Sequence, residues 1–483
     1  MKIRQLLSNK VLLYLVTRYF TYGLQFITSI LLASKLGPEL FGQWSFVLLI
    51  FTIFNIIDFG TSNSVSVLLV QNRNEQDKTK TYIGSAIIIN GLLSILVALL
   101  CCIAYFCNFQ LLAKYDVQKY LPLICFVVIA SYFNKSLSSI YRVYNRLFEV
   151  AFYQSVIPFL LFLGIFLLTE INNLWILVAI YVLGNFLSIS LFLTKSNLIR
   201  NIQFNKGYTR ALFEKGFWLF FYNSSFYLIF YLSSFIVSIS YNVGVYGKFN
   251  FVHTLSNAVI LLIDAFSFII FPKVIDKLKS NDNEICKYNI SKIRVNYTTL
   301  VCIMIYGALP LFRFVFYIAP QYSDTNNALC VSAVSLIPYA FCFGINSYLI
   351  AQNKELKLAF ISFFCLIINT IIISLFVFVI DVDYSLIFLS ILVSYTVYTL
   401  LCTKEALSML CGYHKFKDVL SFSFPIRLII PFLFAIAVSL FYSENILCLT
   451  LPLLSFVIFN FERFSIVIRS IINIINRPTI VDI

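Results

Sequence analysis

LGPELFGQWSFVLLIFTIFNIIDFGTSNSVSVLLVQNRN, running from Leu36 to Asn74, decides how the rest of the chain is understood. A Gly/Pro turn opens it, a long apolar helix follows with Asp58 inside it, and Thr61, Ser62, Asn63, Ser64 and Ser66 close it. A charge within a membrane helix costs roughly 2.5 to 3.5 kcal/mol on the most lenient scale, so it is normally kept for a function or a partner. About 205 residues later the same figure returns as NVGVYGKFNFVHTLSNAVILLIDAFSFIIFPKV, beginning at Asn242. There Gly247, Phe251 and Val252 answer Gly42, Phe46 and Val47, and Asp264 falls within one residue of the place matching Asp58. Two related halves are expected.

Composition fixes the class. Apolar residues make up 60% of 483, charged residues 12%, and the mean hydropathy is +0.91, values that a soluble domain of this length does not sustain. The chain is an all-α polytopic membrane protein. Its net charge of +14 does not indicate nucleic acid, because the basic residues sit in short connections between apolar runs, where they set topology. Of twelve cysteines, most, including Cys101, Cys102, Cys125, Cys302, Cys342, Cys365 and Cys402, lie in apolar runs. None forms a CxxC pair, so they read as small core residues rather than as a metal site or disulfide framework. His253 and His414 are too far apart in sequence to suggest a metal centre. The basic start MKIRQLLSNK resembles a signal peptide but no small-residue cleavage site follows, which predicts a retained first helix.

Segments of about 20 apolar residues suffice to cross a bilayer. Six are expected before a polar stretch at Lys195 to Lys215, six after it, and a shorter pair at Pro425 to Tyr442 and Asn445 to Phe461, about fourteen in all. The predicted organisation is a six-helix lobe over 1–195, a cytoplasmic linker over 196–214, a second six-helix lobe over 215–407, and an extra helix pair with a tail over 408–483. With the N-terminus inside, the connections on that side collect nearly all Lys and Arg, among them Arg73, Arg142, Arg146, Arg200, Arg210, Lys277, Arg294, Lys354 and Arg427. The other side holds Lys35, Lys114, Lys119 and Lys248 with acids such as Glu39, Asp324 and Glu444. Both termini are therefore predicted cytoplasmic. A second echo, YNRLFEVAF against QNKELKLAF, pairs Asn145 and Arg146 with Asn353 and Lys354 after the fourth helix of each half. An even number of helices separates the copies, so the lobes are expected to be related by a pseudo-two-fold axis along the membrane normal, with a substrate site at the repeat interface.

Arg18, Asp58, Lys135 and Asp264 lie well inside apolar segments. At about 1.5 Å per residue, they are expected in one layer in the inner half of the bilayer. Such a layer suits a water-filled cavity open to the cytoplasm; equally, Arg18 with Asp58 reads as a buried ion pair locking neighbouring helices. Near the external side Lys248, His253 and Arg313 suggest a second cationic rim, although Lys248 and Arg313 also suit snorkelling at an interface. Pro158, Pro310 and Pro338 interrupt apolar helices and predict bends. No GxxxxGK[ST] loop is present, and no external connection exceeds about a dozen residues, which leaves little room for the catalytic domain of a membrane glycosyltransferase, polymerase or ligase.

On the LGPELFGQWSFVLLIFTIFNIIDFG stretch, its partner VGVYGKFNFV…FPKV and the QNKELKLAF connection, the chain resembles polysaccharide-biosynthesis flippases, the O-antigen (Wzx-type) transporters of the multidrug/oligosaccharidyl-lipid/polysaccharide superfamily. The resemblance covers the first twelve helices and is most specific at Leu36, Gly37, Phe41 and Gly42. It implies a MATE-like fold, no enzymatic activity and no cofactor. The implied protein sits in the bacterial inner membrane and moves an undecaprenyl-diphosphate-linked oligosaccharide, such as an O-antigen or capsule repeat, to the external leaflet by alternating access. The first, second, seventh and eighth helices would line its central cavity. Arg18 and Lys135, with Lys248 and Arg313, are then candidates for binding the substrate, and Asp58 or Asp264 for carrying a coupling proton or sodium ion. Membrane lipids, a polysaccharide polymerase and a chain-length regulator are the implied partners. The rivals are a drug/cation antiporter of the same superfamily, which calls for acidic rather than mixed charge, a membrane polysaccharide polymerase, and a non-transporting scaffold.

Overall fold

Inside a bilayer the peptide groups must satisfy one another, and among the described residues every regular element is helical. The computed structural model describes residues 10–58, 60–72, 75–144, 146–169, 173–194, 203–280, 282–412 and 415–476. Within these, the side chains of 10–12, 15, 63, 70–71, 215, 218–219, 222–227, 260, 262–273, 276 and 464–476 are outside the description, as is the first part of the predicted linker, residues 196–202. The chain divides into two compact units, Met1–Ser224 with Tyr241–Gly247, and Ser225–Ser240 with Lys248–Ile483.

The first unit is built from α1 (Lys10–Ile56), α2 (Thr61–Gln71), α3 (Gln76–Phe106), the short α4 (Gln110–Lys114), α5 (Leu121–Val143), α6 (Leu147–Gly164), α7 (Asn173–Thr194) and the start of α8 (Lys206–Ser240). α1 has 47 residues, about 70 Å if straight and more than twice a bilayer core. It is divided at Gly37, whose φ of 69° belongs to the left-handed region, followed by Pro38. Two crossings therefore meet at the turn that the sequence marks. α5 is the most enclosed helix here, packed on α2, α3 and α7, while α1 packs along α6.

A close approach explains two of the repeated glycines. A Cβ at Gly42 would fall on the Val243 carbonyl oxygen, and a Cβ at Gly247 on that of Pro38. Each glycine thus meets the carbonyl four residues before the other, at the start of α9 (Val243–Leu278).

The second unit continues through α9, α10 (Asn283–Ile318), α11 (Asn326–Ser335), α12 (Ile337–Phe341), α13 (Phe343–Ala351), α14 (Glu355–Leu375), α15 (Phe388–Cys411), α16 (Phe416–Ser423), α17 (Ile426–Phe441) and α18 (Ile446–Asn476). The segment expected as one helix over Ala328 to Ile350 is stepped into α11, α12 and α13, with Pro338 in the first turn of α12. The Thr399 hydroxyl donates to the Pro338 carbonyl at 2.7 Å, so this polar group is not left bare. Asn369 on α14 donates to Ile229 O and Ser233 Oγ on α8, at 3.1 and 2.9 Å.

Features of the first unit recur in the second. Phe46 stacks on Tyr115 and its counterpart Phe251 on Tyr322, each with centroids 4.1 Å apart. The turns of the second echo share one hydrogen bond, Arg146 N to Tyr141 O and Lys354 N to Leu349 O, at 3.0 and 2.9 Å. Asn353, at φ 56°, provides the left-handed step in the latter.

Among the described residues ten helices are long and apolar enough to cross a membrane, eleven with α16 and α17, bent by 70°, taken as one crossing. Val16–Ile56 is one of the ten although it is 41 residues long and divided at Gly37. α8 and α9, at 35 and 36 residues, also exceed the length needed. All twelve cysteines are free; Cys101, Cys286, Cys302, Cys330, Cys342, Cys365 and Cys402 are buried as expected of core residues, whereas Cys102, Cys107 and Cys411 are exposed.

Candidate functional site

The run predicted as one helix through Asp58 is broken. α1 ends at Ile56 and α2 begins at Thr61, leaving a helix C-terminus and a helix N-terminus face to face within the apolar stretch. Each end leaves backbone groups without helical partners, carbonyls with partial negative charge on one side and amides with partial positive charge on the other. α5 supplies the missing donors for the carbonyls. Tyr132 OH donates to Phe54 O at 2.6 Å and Lys135 Nζ to Asn55 O at 3.1 Å, while Ser131 Oγ donates to the Asn55 side chain at Oδ1. Asp58 serves the other end: its carboxylate accepts from Gly60 N at 2.8 Å and from Ser62 Oγ at 3.1 Å. Gly60 turns the chain at φ 70°, and a Cβ there would lie 2.6 Å from Gly216 O.

Lys135 joins the two ends. Its ammonium lies 3.8 Å from Asp58 Oδ2, and its side chain is 41% exposed although it belongs to the most enclosed helix of its unit; Asp58 is 13% exposed. The expected partnership of Asp58 with Arg18 is thus corrected to one with Lys135. A continuous helix would have kept Asp58 in register with α1; the break turns it towards the amides of α2 and the α5 lysine. Arg18 goes elsewhere, donating from Nη2 to Gln154 Oε1 on α6 at 2.5 Å with its guanidinium 5.5 Å from the Tyr14 ring centre. Its Nε is buried without a hydrogen-bond partner.

Arg142, read from sequence as a loop charge, lies in the last turn of α5 and donates to Ser66 Oγ on α2 at 2.8 Å. It stands seven residues, about two turns, after Lys135, so the helical spacing carried the signal. Arg294 is the second such case. It lies inside α10 in a buried row at intervals of four, Cys286, Ile290, Arg294 and Thr298, and is 4% exposed.

The external candidates are not brought together. Lys248 Nζ pairs with Asp324, and Arg313 Nη2 is 3.3 Å from Glu444. The His253 ring stacks on Phe230. The Asp264 side chain and the whole of His414 lie outside the described residues.

What the broken helix can do follows from these contacts. A lysine whose side chain is partly exposed beside two helix ends can meet an anion without leaving its carbonyl, and a carboxylate beside it can exchange that lysine for a proton or cation. A family model described as polysaccharide biosynthesis protein matches residues 7–276, more than half the chain, and includes this site. The chain belongs to that family. Solved structures extend the fold comparison. The lipid II flippase MurJ in an inward closed conformation is similar with a TM-score of 0.68 at 15% identity, over 95% of this chain and 99% of that one. A multidrug resistance MATE family transporter of the MOP superfamily, facing inward, gives 0.67 at 12% identity, over 85% and 99%. An outward-facing MATE structure gives 0.56 at 12% identity, over 84% and 96%. At these identities the likeness is one of fold, and it establishes a multi-pass membrane protein with the MATE and MurJ architecture. A search of curated proteins finds no match.

Proposed function

We propose that this polysaccharide biosynthesis protein is a flippase that carries an undecaprenyl-diphosphate-linked oligosaccharide from the cytoplasmic to the external leaflet of the bacterial inner membrane by alternating access, with both termini cytoplasmic. The observation that carries the proposal is Lys135, 41% exposed at a helix break and 3.8 Å from Asp58. A diphosphate arriving at this ammonium competes with Asp58 for it, and charge attraction in a site of low dielectric is strong enough to offset part of the headgroup's dehydration. Arg18, with an unpartnered buried Nε, adds a second donor group in the same unit. Asp58, released from Lys135, then takes up a proton or sodium ion whose passage is worth roughly 2.3 kcal/mol per charge per 100 mV. Asp264 is proposed for the same role in the second unit. Lys248 and Arg313, each beside an acid in the second unit as Lys135 is in the first, are proposed as further substrate contacts.

The mixed charge around the break favours an anionic headgroup over the cationic cargo of a drug antiporter. The test is genetic and chemical. In a strain whose surface polysaccharide depends on this protein, Lys135→Gln should insert normally, abolish surface polysaccharide and leave lipid-linked repeats inside. Full-length surface polysaccharide from Lys135→Gln would overturn the proposal, and short unpolymerised chains at the surface would favour a polymerase.

A further inference from the structure

A second group of unpartnered donors lies in the other unit, away from the broken helix in sequence and element. Arg294 on α10 is 4% exposed, donates from Nη1 to the Phe422 carbonyl and lies over the Phe422 ring at 4.4 Å. Its Nε has no hydrogen-bond partner. The same is true of Arg463 Nη1 on α18 and of the fully buried Ser423 Oγ, next to Phe422 at the end of α16. Arg463 lies on α18, which packs along α10, the helix of Arg294, and against α17, where Asn460, three residues before Arg463, reaches Arg427 O. The helices bend at this place. α18 departs from helical geometry at Asn460 (φ −129°), whose side chain donates to Arg427 O at 3.0 Å. α16 and α17 meet at a 70° bend.

Arginines on three packed helices, with three buried donors unused, are an expensive arrangement for a membrane protein unless an anion completes it. The neighbouring helix says at what depth. α16 exposes Phe416 and Leu420 on one side and buries Val419 and Ser423 on the other, the pattern of a helix lying in the headgroup plane. By the charge bias of the connections this is the cytoplasmic face, where anionic lipids present phosphate.

We propose that Arg294, Arg463 and Ser423 form a binding site for the phosphate of a membrane-lipid headgroup, at the junction of α10, α16 and α18. The guanidinium groups offer their free N–H donors to phosphate oxygens, Ser423 Oγ adds a third, and Phe422 walls the site with its ring. The chemistry is shared by phospholipid phosphodiesters and by the diphosphate of a polyprenyl carrier.

Native mass spectrometry of the full chain, released from detergent and titrated separately with phosphatidylglycerol and undecaprenyl diphosphate, tests it. At least one lipid should stay bound to the unsubstituted protein. Its affinity should fall about tenfold or more in Arg294→Gln and in Arg463→Gln, the loss of one charged hydrogen bond. Retention of phosphatidylglycerol alone identifies a structural lipid; retention of undecaprenyl diphosphate identifies carrier recognition. Arg463→Gln, at a partly exposed residue, and Ser423→Ala keep the test open if Arg294→Gln does not fold, which the thermal midpoint in detergent reports. Retention of neither lipid, or equal retention by folded Arg463→Gln and Ser423→Ala, overturns the proposal.

Discussion

Replacing Asp58 by Asn and Lys135 by Met separates what each contributes to the broken helix. Asn is isosteric with Asp and a good acceptor at a helix start, so in Asp58→Asn the amide oxygen still accepts from Gly60 N, the amide nitrogen donates to Ser62 Oγ with the hydroxyl reversed, and the main loss is the charge. The ion pair it loses spans 3.8 Å with Lys135 41% exposed, which places its worth with partly solvated pairs, within about 1 kcal/mol. Lys135→Met loses more. Asn55 O is deprived of its 3.1 Å donor, about 1 kcal/mol, and the Asp58 carboxylate, 13% exposed, keeps its negative charge without a cation. Leaving a buried charge alone costs about 3–5 kcal/mol in dry interiors, and about 1–2 kcal/mol is a fair share here because the pair is partly open. The total is roughly 2–3 kcal/mol. Combining Lys135→Met with Asp58→Asn removes the stranded charge and should recover about 1 kcal/mol or more. Equilibrium unfolding in mixed micelles should therefore rank Asp58→Asn as the most stable of the three, the double variant next and Lys135→Met last. A double variant no more stable than Lys135→Met would refute the coupling.

Other outcomes follow from the same contacts. Gly247→Val and Gly42→Val each drive a side chain into backbone carbonyl oxygen, so each should reduce folded protein severely, by about 3 kcal/mol or more, measured as the monodisperse fraction after size exclusion. Gly37→Ala meets open space and only the cost of φ 69°, so its loss should stay near 1 kcal/mol by unfolding in micelles. Gly60→Ala adds contact with Gly216 O to a similar φ and should cost clearly more than Gly37→Ala in that assay. Arg142→Lys keeps charge but loses the planar reach to Ser66, and should cost no more than about 1 kcal/mol, with transport preserved if Arg142 only braces α2 against α5.

The sequence carried the all-helical membrane class clearly, because hydropathy acts over long windows. The glycine echo was legible as repetition, yet its cause was not: that Gly42 and Gly247 each meet the carbonyl four residues before the other requires two distant segments to touch. Asp58 was legible as an acid with a purpose. Its partner was not, because the apolar run from Phe41 to Ser64 gives no sign of stopping at Ile56 except Gly60 and the hydroxyl-rich residues after it. Those residues, Asp58, Gly60, Thr61 and Ser62, are themselves a helix-start signature inside a hydrophobic segment, and hydropathy outweighed them. Arg142 and Arg294 were assigned to connections because charge near a helix end usually belongs there, whereas α5 and α10 extend past both.

The central claim is movement of a lipid-linked glycan, and reconstitution measures it most directly. Proteoliposomes containing the purified chain and a fluorescent undecaprenyl-diphosphate oligosaccharide in the inner leaflet would be sampled with a membrane-impermeant reagent for the sugar. The account predicts that the label becomes accessible at a rate set by the protein and falls to the protein-free rate with Lys135→Gln. Accessibility no faster than in empty liposomes, beside efflux of a cationic dye from the same vesicles, would contradict it.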